Sequence, residues 1–178
     1  MRKATRLGTG QPATAMTIAV AVRRLGPEDT QAITEHFLGL DQDGRYHRFF
    51  SAASDEAIRR YVTAFDWTRQ ILFGAECGGR LCALSEIGWP EGSDGSAAEF
   101  AISVDAQMRH VGLAAWLLDA VAAAAAAAGV RLIQGTWLTE NLPIYRLMRD
   151  RGATIRQAGT VMTGQIALPP VTATSAPA

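Results

Sequence analysis

Residues 104–120 read VDAQMRHVGLAAWLLDA, and the fold turns on them. An apolar strand ends at Val104, and Arg109-His110-Val111-Gly112-Leu113-Ala114 then leads directly into a helix. A helix that only covers a sheet starts more safely with Ser, Asp or Thr at its cap. This one starts with small residues beside basic ones. The first turn of a helix presents unpaired N–H groups and about half a positive charge. Gly112 and Ala114 keep side chains clear, so an anion can reach that backbone. Arg109 and His110 add to the attraction. The plainer alternative is a helix start whose small residues pack against the neighbouring strand.

Upstream lies Glu99-Phe100-Ala101-Ile102-Ser103-Val104. Strict alternation places Phe100, Ile102 and Val104 on one face and Glu99, Ala101 and Ser103 on the other. That second face is small except for the carboxylate at its far end, so a slender ligand could lie along it. Its anionic end would reach the helix while its reactive end approached Glu99. A carboxylate desolvated in such a cleft can serve as a general base; the alternative is a solvated Glu at a strand start. Downstream, Asn141 precedes Leu142-Pro143 and reads as a helix N-cap.

The remaining elements fall around this unit. Residues 17–25 alternate as a strand, and Pro27-Glu28-Asp29 opens a helix. One or two amphipathic helices are expected over 45–65, with Ser54 as a cap. Residues 70–77 and 80–87 form a hairpin about Gly78-Gly79, followed by a 90–95 loop. Strand 98–104, helix 112–128, strand 130–138, helix 143–151 and strands 155–157 and 160–168 complete the order. A single domain is expected over 17–168, with flexible tails at 1–16 and 169–178.

Lys+Arg equals Asp+Glu at 17 each, so no global field favours nucleic acid or an anionic membrane. Residues 111–130 have the length of a membrane span, but Asp119 and the alanine content make them a soluble helix. The basic N-terminus has no long apolar run behind it, so it does not read as a signal peptide. Cys77 and Cys82 are diagonal across the expected hairpin, with α-carbons about 7–8 Å apart. They read as reduced thiols in a cytoplasmic protein. His36, His47 and His110 are too scattered to suggest a metal site. Trp89, beside the loop, is the tryptophan placed to touch a substrate. Acids at the mouth, such as Glu86 or Glu91, could recruit a cation but are usually solvated.

Together these residues resemble the GNAT superfamily of acetyl-CoA-dependent N-acetyltransferases. Residues 109–114 fit the family pattern Gln/Arg-x-x-Gly-x-Gly/Ala, and TENLPIYRLMRDRGA at 139–153 resembles its Asn-to-Gly helix. Within the superfamily the chain is most similar to the Pat-type protein lysine acetyltransferase domain, through AEFAISV (98–104), TEN (139–141), Met148 and RYHRFF (45–50). The resemblance implies a mixed α/β fold: a mostly antiparallel central sheet of six to seven strands with helices on both faces. It implies acetyl-CoA as acyl donor, its pyrophosphate on the N–H groups of Arg109, His110, Val111, Gly112, Leu113 and Ala114. The pantetheine arm would run along Ile102, Ser103 and Val104, with Asn141 contacting it. Glu99 matches the Pat-type general base, and the acceptor would be a primary amine, a protein lysine in particular.

Three departures stand out. Met148 occupies the place where many members carry a Tyr as general acid, with Tyr145 one turn earlier. His110 and Val111 replace the usual Gly and basic residue. No regulatory domain of the kind carried by some Pat proteins is read in the chain. A small-molecule amine acetyltransferase and a non-catalytic acyl-CoA-binding module are the competing readings. The oligomeric state is open, a homodimer being one option.

Overall fold

The computed structural model describes residues 2–4 and 19–170. The chain runs β1 (Arg2–Ala4), β2 (Ala19–Leu25), α1 (Thr30–Leu38), α2 (Gln42–Phe49), α3 (Asp55–Thr63), β3 (Gln70–Cys77), β4 (Arg80–Gly88) and β5 (Ala97–Val104). It continues through α4 (Leu113–Ala127), β6 (Leu132–Leu138), α5 (Leu142–Asp150), β7 (Thr154–Ala158) and β8 (Val161–Ala167). The strands form one sheet in the order β1-β2-β3-β4-β5-β6-β8-β7. Seven strands match the expected sheet, and β1 adds a short eighth by pairing with the outer edge of β2. The rest of the expected tails, Met1, 5–16 and 171–178, lies outside the described residues.

Local chemistry explains most boundaries. Gly78 and Gly79 both take positive φ, 61° and 83°, as a two-residue hairpin turn requires. Ser54 caps α3 by accepting from the Ala57 N–H at 3.2 Å. Gly129, at φ 91°, stops α4.

Helices α1 to α3 cover one sheet face, where Ile33, Phe37, Ile58 and Val62 pack on Leu72 and Leu84. On the other face, Leu118, Val121 and Ala125 of α4 and Met148 of α5 pack on Ile71, Ile87, Phe100 and Ile133. Small residues along α4 let it lie close to the sheet: the buried Ser85 hydroxyl donates to the Leu117 carbonyl at 3.3 Å. Among the described residues no helix is long and apolar enough to cross a membrane.

The cysteine expectation is corrected. Cys77 and Cys82 form a disulfide, with α-carbons 5.9 Å apart. The expected diagonal spacing assumed a regular ladder, but the register shifts between Ala75 and Glu76. Ala75 pairs with Ala83 and Glu76 with Leu81, leaving Cys82 in a bulge. The bulge draws Cys82 toward Cys77, into the separation a disulfide needs. Reduced thiols therefore no longer argue for a cytoplasmic location.

Candidate active-site cleft

The cleft starts where two strands part. β5 and β6 run parallel but pair only from Ala97 with Leu132 to Phe100 with Gly135. Beyond Phe100, β5 stays bonded to β4 through Val104, and β6 stays bonded to β8 through Leu138. Among the described residues, no strand pairs with β5 at 101–104 or with β6 at 136–138 along the inner edges. Backbone amides there need partners from water or from a ligand with amides of its own. The opening is a cleft of about 1090 Å³, a little larger than usual for a small-molecule site.

Helix α4 begins at one end of this cleft. Its N-cap is Gly112, left-handed at φ 88°, and no side chain caps it. The first bond within the helix runs from the Trp116 N–H to the Gly112 carbonyl. Leu113, Ala114 and Ala115 precede it, so their N–H groups have no intrahelical carbonyl to bond, and all three residues line the cleft. His110 also takes positive φ, 66°. The turn at 110–112 thus presents backbone donors that a larger side chain at Gly112 would strain.

Of the sequence-predicted site residues, Glu99, Ile102, Ser103, Val104, Arg109, His110, Gly112, Leu113, Ala114 and Asn141 line the cleft. Val111 does not: its side chain packs against the cluster of Val20, Met108 and Leu113. Arg109 is already engaged, donating to both Asp41 oxygens at 2.5 and 3.0 Å, so its charge is largely balanced. Asn141 caps α5, accepting from the Ile144 N–H at a long 3.5 Å. Glu99 lies on the wall but is exposed, so the expected desolvation is absent. Met148 is fully buried beneath the wall, against Trp137 and Phe100, and neither it nor Tyr145 is among the lining residues. Trp89 lines the cleft as expected, its indole N–H bonded to the Gly95 carbonyl at 3.2 Å.

Two polar groupings were not anticipated. Glu86, expected at a solvated mouth, is buried, and its Oε1 accepts from Arg48 at 2.6 Å and from the Tyr61 hydroxyl at 2.5 Å. Arg48 is enclosed by Phe37, Phe49 and Tyr61, with ring centroids 5.0 to 5.2 Å from its guanidinium carbon. Burial pushes the Tyr61 hydroxyl well above its ordinary range, so it stays a donor. Second, His36 lies inside the molecule with Nε2 2.7 Å from the Ser103 hydroxyl. Its Nδ1 is 3.2 Å from Asp105, outside hydrogen-bond geometry, and Arg80 reaches the same carboxylate. The only sequence signal was RYHRFF, whose Arg48 has its partner 38 positions away.

No protein-family model and no curated protein matches the chain. Solved structures do. The GNAT domain of the Streptomyces lividans PAT protein superposes with a TM-score of 0.72 at 23% identity, over 84% of this chain and 91% of that one. YncA from Salmonella typhimurium, solved with acetyl-CoA, gives 0.67 at 17% identity, over 88% and 98%. A cAMP-binding acyltransferase from Mycobacterium smegmatis gives 0.59 at 20%, over 94% of this chain and 49% of the other. The chain therefore has the GNAT fold.

Proposed function

We propose that this GNAT-fold chain is an N-acetyltransferase that passes acetyl from acetyl-CoA to a primary amine, a protein lysine in particular. The supporting observation is the parting of β5 from β6 beside the uncapped start of α4. A pantetheine arm carries amides that suit the unpaired edge at Ile102–Val104. A diphosphate suits the free N–H groups at 113–115. Arg109, paired with Asp41, contributes orientation more than net charge.

In this reading the cleft holds donor and acceptor together, and the amine attacks the thioester carbonyl directly. A backbone N–H of the 101–104 edge polarises that carbonyl. Glu99, on the wall and open to water, takes the proton from the amine directly or through a water molecule. The departing thiolate leaves without a side-chain acid, since Met148 stands in the core; a thiol with a pKa of about 8.5 is a competent leaving group. A donor spanning β5 to α4 fixes the acetyl group far from its anchored diphosphate.

The test is calorimetric titration with acetyl-CoA, CoA and dephospho-CoA, followed by thiol release with small amines and lysine peptides. Binding with amine-dependent release is expected, and lysine peptides should exceed free amines. Binding without release would identify an acyl-CoA-binding module, and absence of binding would leave the 109–114 stretch as packing only. Glu99→Gln should lower kcat/KM about 100-fold or more while acetyl-CoA binding is unchanged. Full turnover at every pH would remove Glu99 as the base.

A further inference from the structure

We infer that the acceptor docks as an ammonium over Gly88, held by the Gln70 carbonyl oxygen and the Glu86 carboxylate, with Glu99 beside it. This rests on the acetyl-transfer reading and assigns the specificity of its acceptor side. The sheet register sets the geometry. Gln70 pairs with Gly88 and Gly88 with Glu99, so the three form one row across β3, β4 and β5. In the next row Glu86 pairs with Ala101. Alternation puts both rows on the face covered by α1 to α3. Gly88 and Ala101 leave the space between the acids free of bulk. A methyl group built on Gly88 would find nothing closer than 3.8 Å.

Two acceptors on this floor are unmet, beside one buried donor, the Arg48 Nε–H, that is fixed by its own ion pair and also has no partner. Glu86 receives both its donors on Oε1, and its buried Oε2 has no partner. Buried Gln70 Oε1 has none either, and both residues line the cleft. A buried acceptor without a donor is destabilising, more so when charged. The nearby cations are committed: Arg48 to Glu86, and Arg69 to the carbonyls of Trp89 and Pro90. A ligand that brings its own donors can meet both acceptors. A primary ammonium carries three N–H groups and the matching charge. Tyr61, Trp89 and Phe50 line the same region and suit a cation on an apolar stem.

The two carboxylates divide the work. Arg48 and Tyr61 fix the position of the Glu86 carboxylate through its Oε1, so it anchors. Glu99, with neither partner, takes one proton from the bound ammonium and leaves a neutral amine. That amine forms the new C–N bond as the C–S bond breaks, and its second proton goes to the released thiolate. A neutral alcohol of the same length brings only one donor and no charge, so it leaves an acceptor unmet.

The test compares n-pentylamine with 1-pentanol, binding each to the full chain without acetyl-CoA by NMR titration. Gln70→Leu removes one acceptor without touching the Arg48 ion pair, and Gly88→Ala raises the floor where the fold has room. The amine should bind and the alcohol should not. Each variant should weaken amine binding and raise the amine KM about tenfold or more, with the acetyl-CoA KM unchanged. Equal binding of amine and alcohol, or unchanged amine affinity in both variants, overturns the proposal. So does an acetyl-CoA KM that moves as far as the amine KM. Amine binding that obeys these variants in a chain with no thiol release would keep the ammonium site and discard the transferase.

Discussion

Asp41 and Arg109, 68 residues apart, are joined by two hydrogen bonds that tie the start of α2 to the turn before α4. The Arg109 guanidinium holds the Asp41 carboxyl below the usual carboxylate range, and the Gly44 N–H assists, against a smaller opposing effect of burial. The pair is therefore charged at any working pH, and Asp41 offsets the cation nearest the uncapped helix. Asp41→Asn keeps a side-chain cap for α2 while removing the offsetting charge. CoA should then bind several-fold tighter at low ionic strength, and titration in high salt should abolish the gain. Equal affinity at low salt would place the diphosphate away from Arg109.

Much of this fold could be read from local signals. The Gly78-Gly79 turn, the Ser54 cap, the Gly129 stop and the alternation at 99–104 each act within a few residues. Their elements fell within a few residues of expectation. What escaped notice depends on register or on distant partners. Cys82 reached Cys77 because one residue bulged, which no alternation pattern encodes. Glu86 looked like a solvated acid because Arg48 and Tyr61 approach it from 38 and 25 positions away. His36 was legible only as one of three scattered histidines, because Ser103, its partner, lies 67 positions away. Arg109 was legible as a cation, but its pairing with Asp41 was not.

The disulfide at the tip of the first hairpin predicts a thiol count. The unreduced chain, unfolded in denaturant, should show no thiol reactive toward a colorimetric reagent, and two after reduction. The closed loop is short, with a sequence separation of 5. Chain-entropy arguments for so small a loop give about 2 kcal/mol, so reduction should lower the urea midpoint measurably without unfolding the protein. Two thiols before reduction would return the cysteines to the unpaired state.

Acid should loosen the start of α1 through Asp29. This carboxylate takes two hydrogen bonds from Arg23 and one from the Gly26 N–H. The Arg23 bonds chiefly hold its pKa below 3.8, burial opposing them. The folded chain thus binds fewer protons at Asp29 than the unfolded chain does near that value. The stabilisation is complete above the unfolded pKa and disappears as pH falls through the lower folded one. Asp29→Asn should therefore be less stable than the parent at pH 7, and the gap should close in urea titrations carried below pH 4. A gap that persisted unchanged into acid would mean that the carboxylate charge is not what matters there.

The buried contact between His36 and Ser103 gives the last prediction, because it couples the cofactor edge to the helices over it. Asp105 flanks Nδ1 at 3.2 Å, and its carboxyl lies below its usual range: burial pushes it up, but His36 and Arg80 together outweigh that. In the tautomer whose N–H is Nδ1, on the side of this anion, Nε2 accepts from the Ser103 hydroxyl at 2.7 Å. That hydroxyl then turns its lone pairs toward the cleft, where an amide of the donor arm could bond. His36→Ala leaves the buried Ser103 hydroxyl without its partner, while Asp105 keeps Arg80, and should cost about 2 kcal/mol or more by denaturant unfolding. His36→Gln can still accept from Ser103 through its amide oxygen, so it should recover part of that loss. Ser103→Ala removes only the hydroxyl and should raise the acetyl-CoA KM with little change in kcat, because the bond it loses serves binding equally before and during the reaction. A fall in kcat with KM unchanged would show instead that Ser103 acts at the reacting centre.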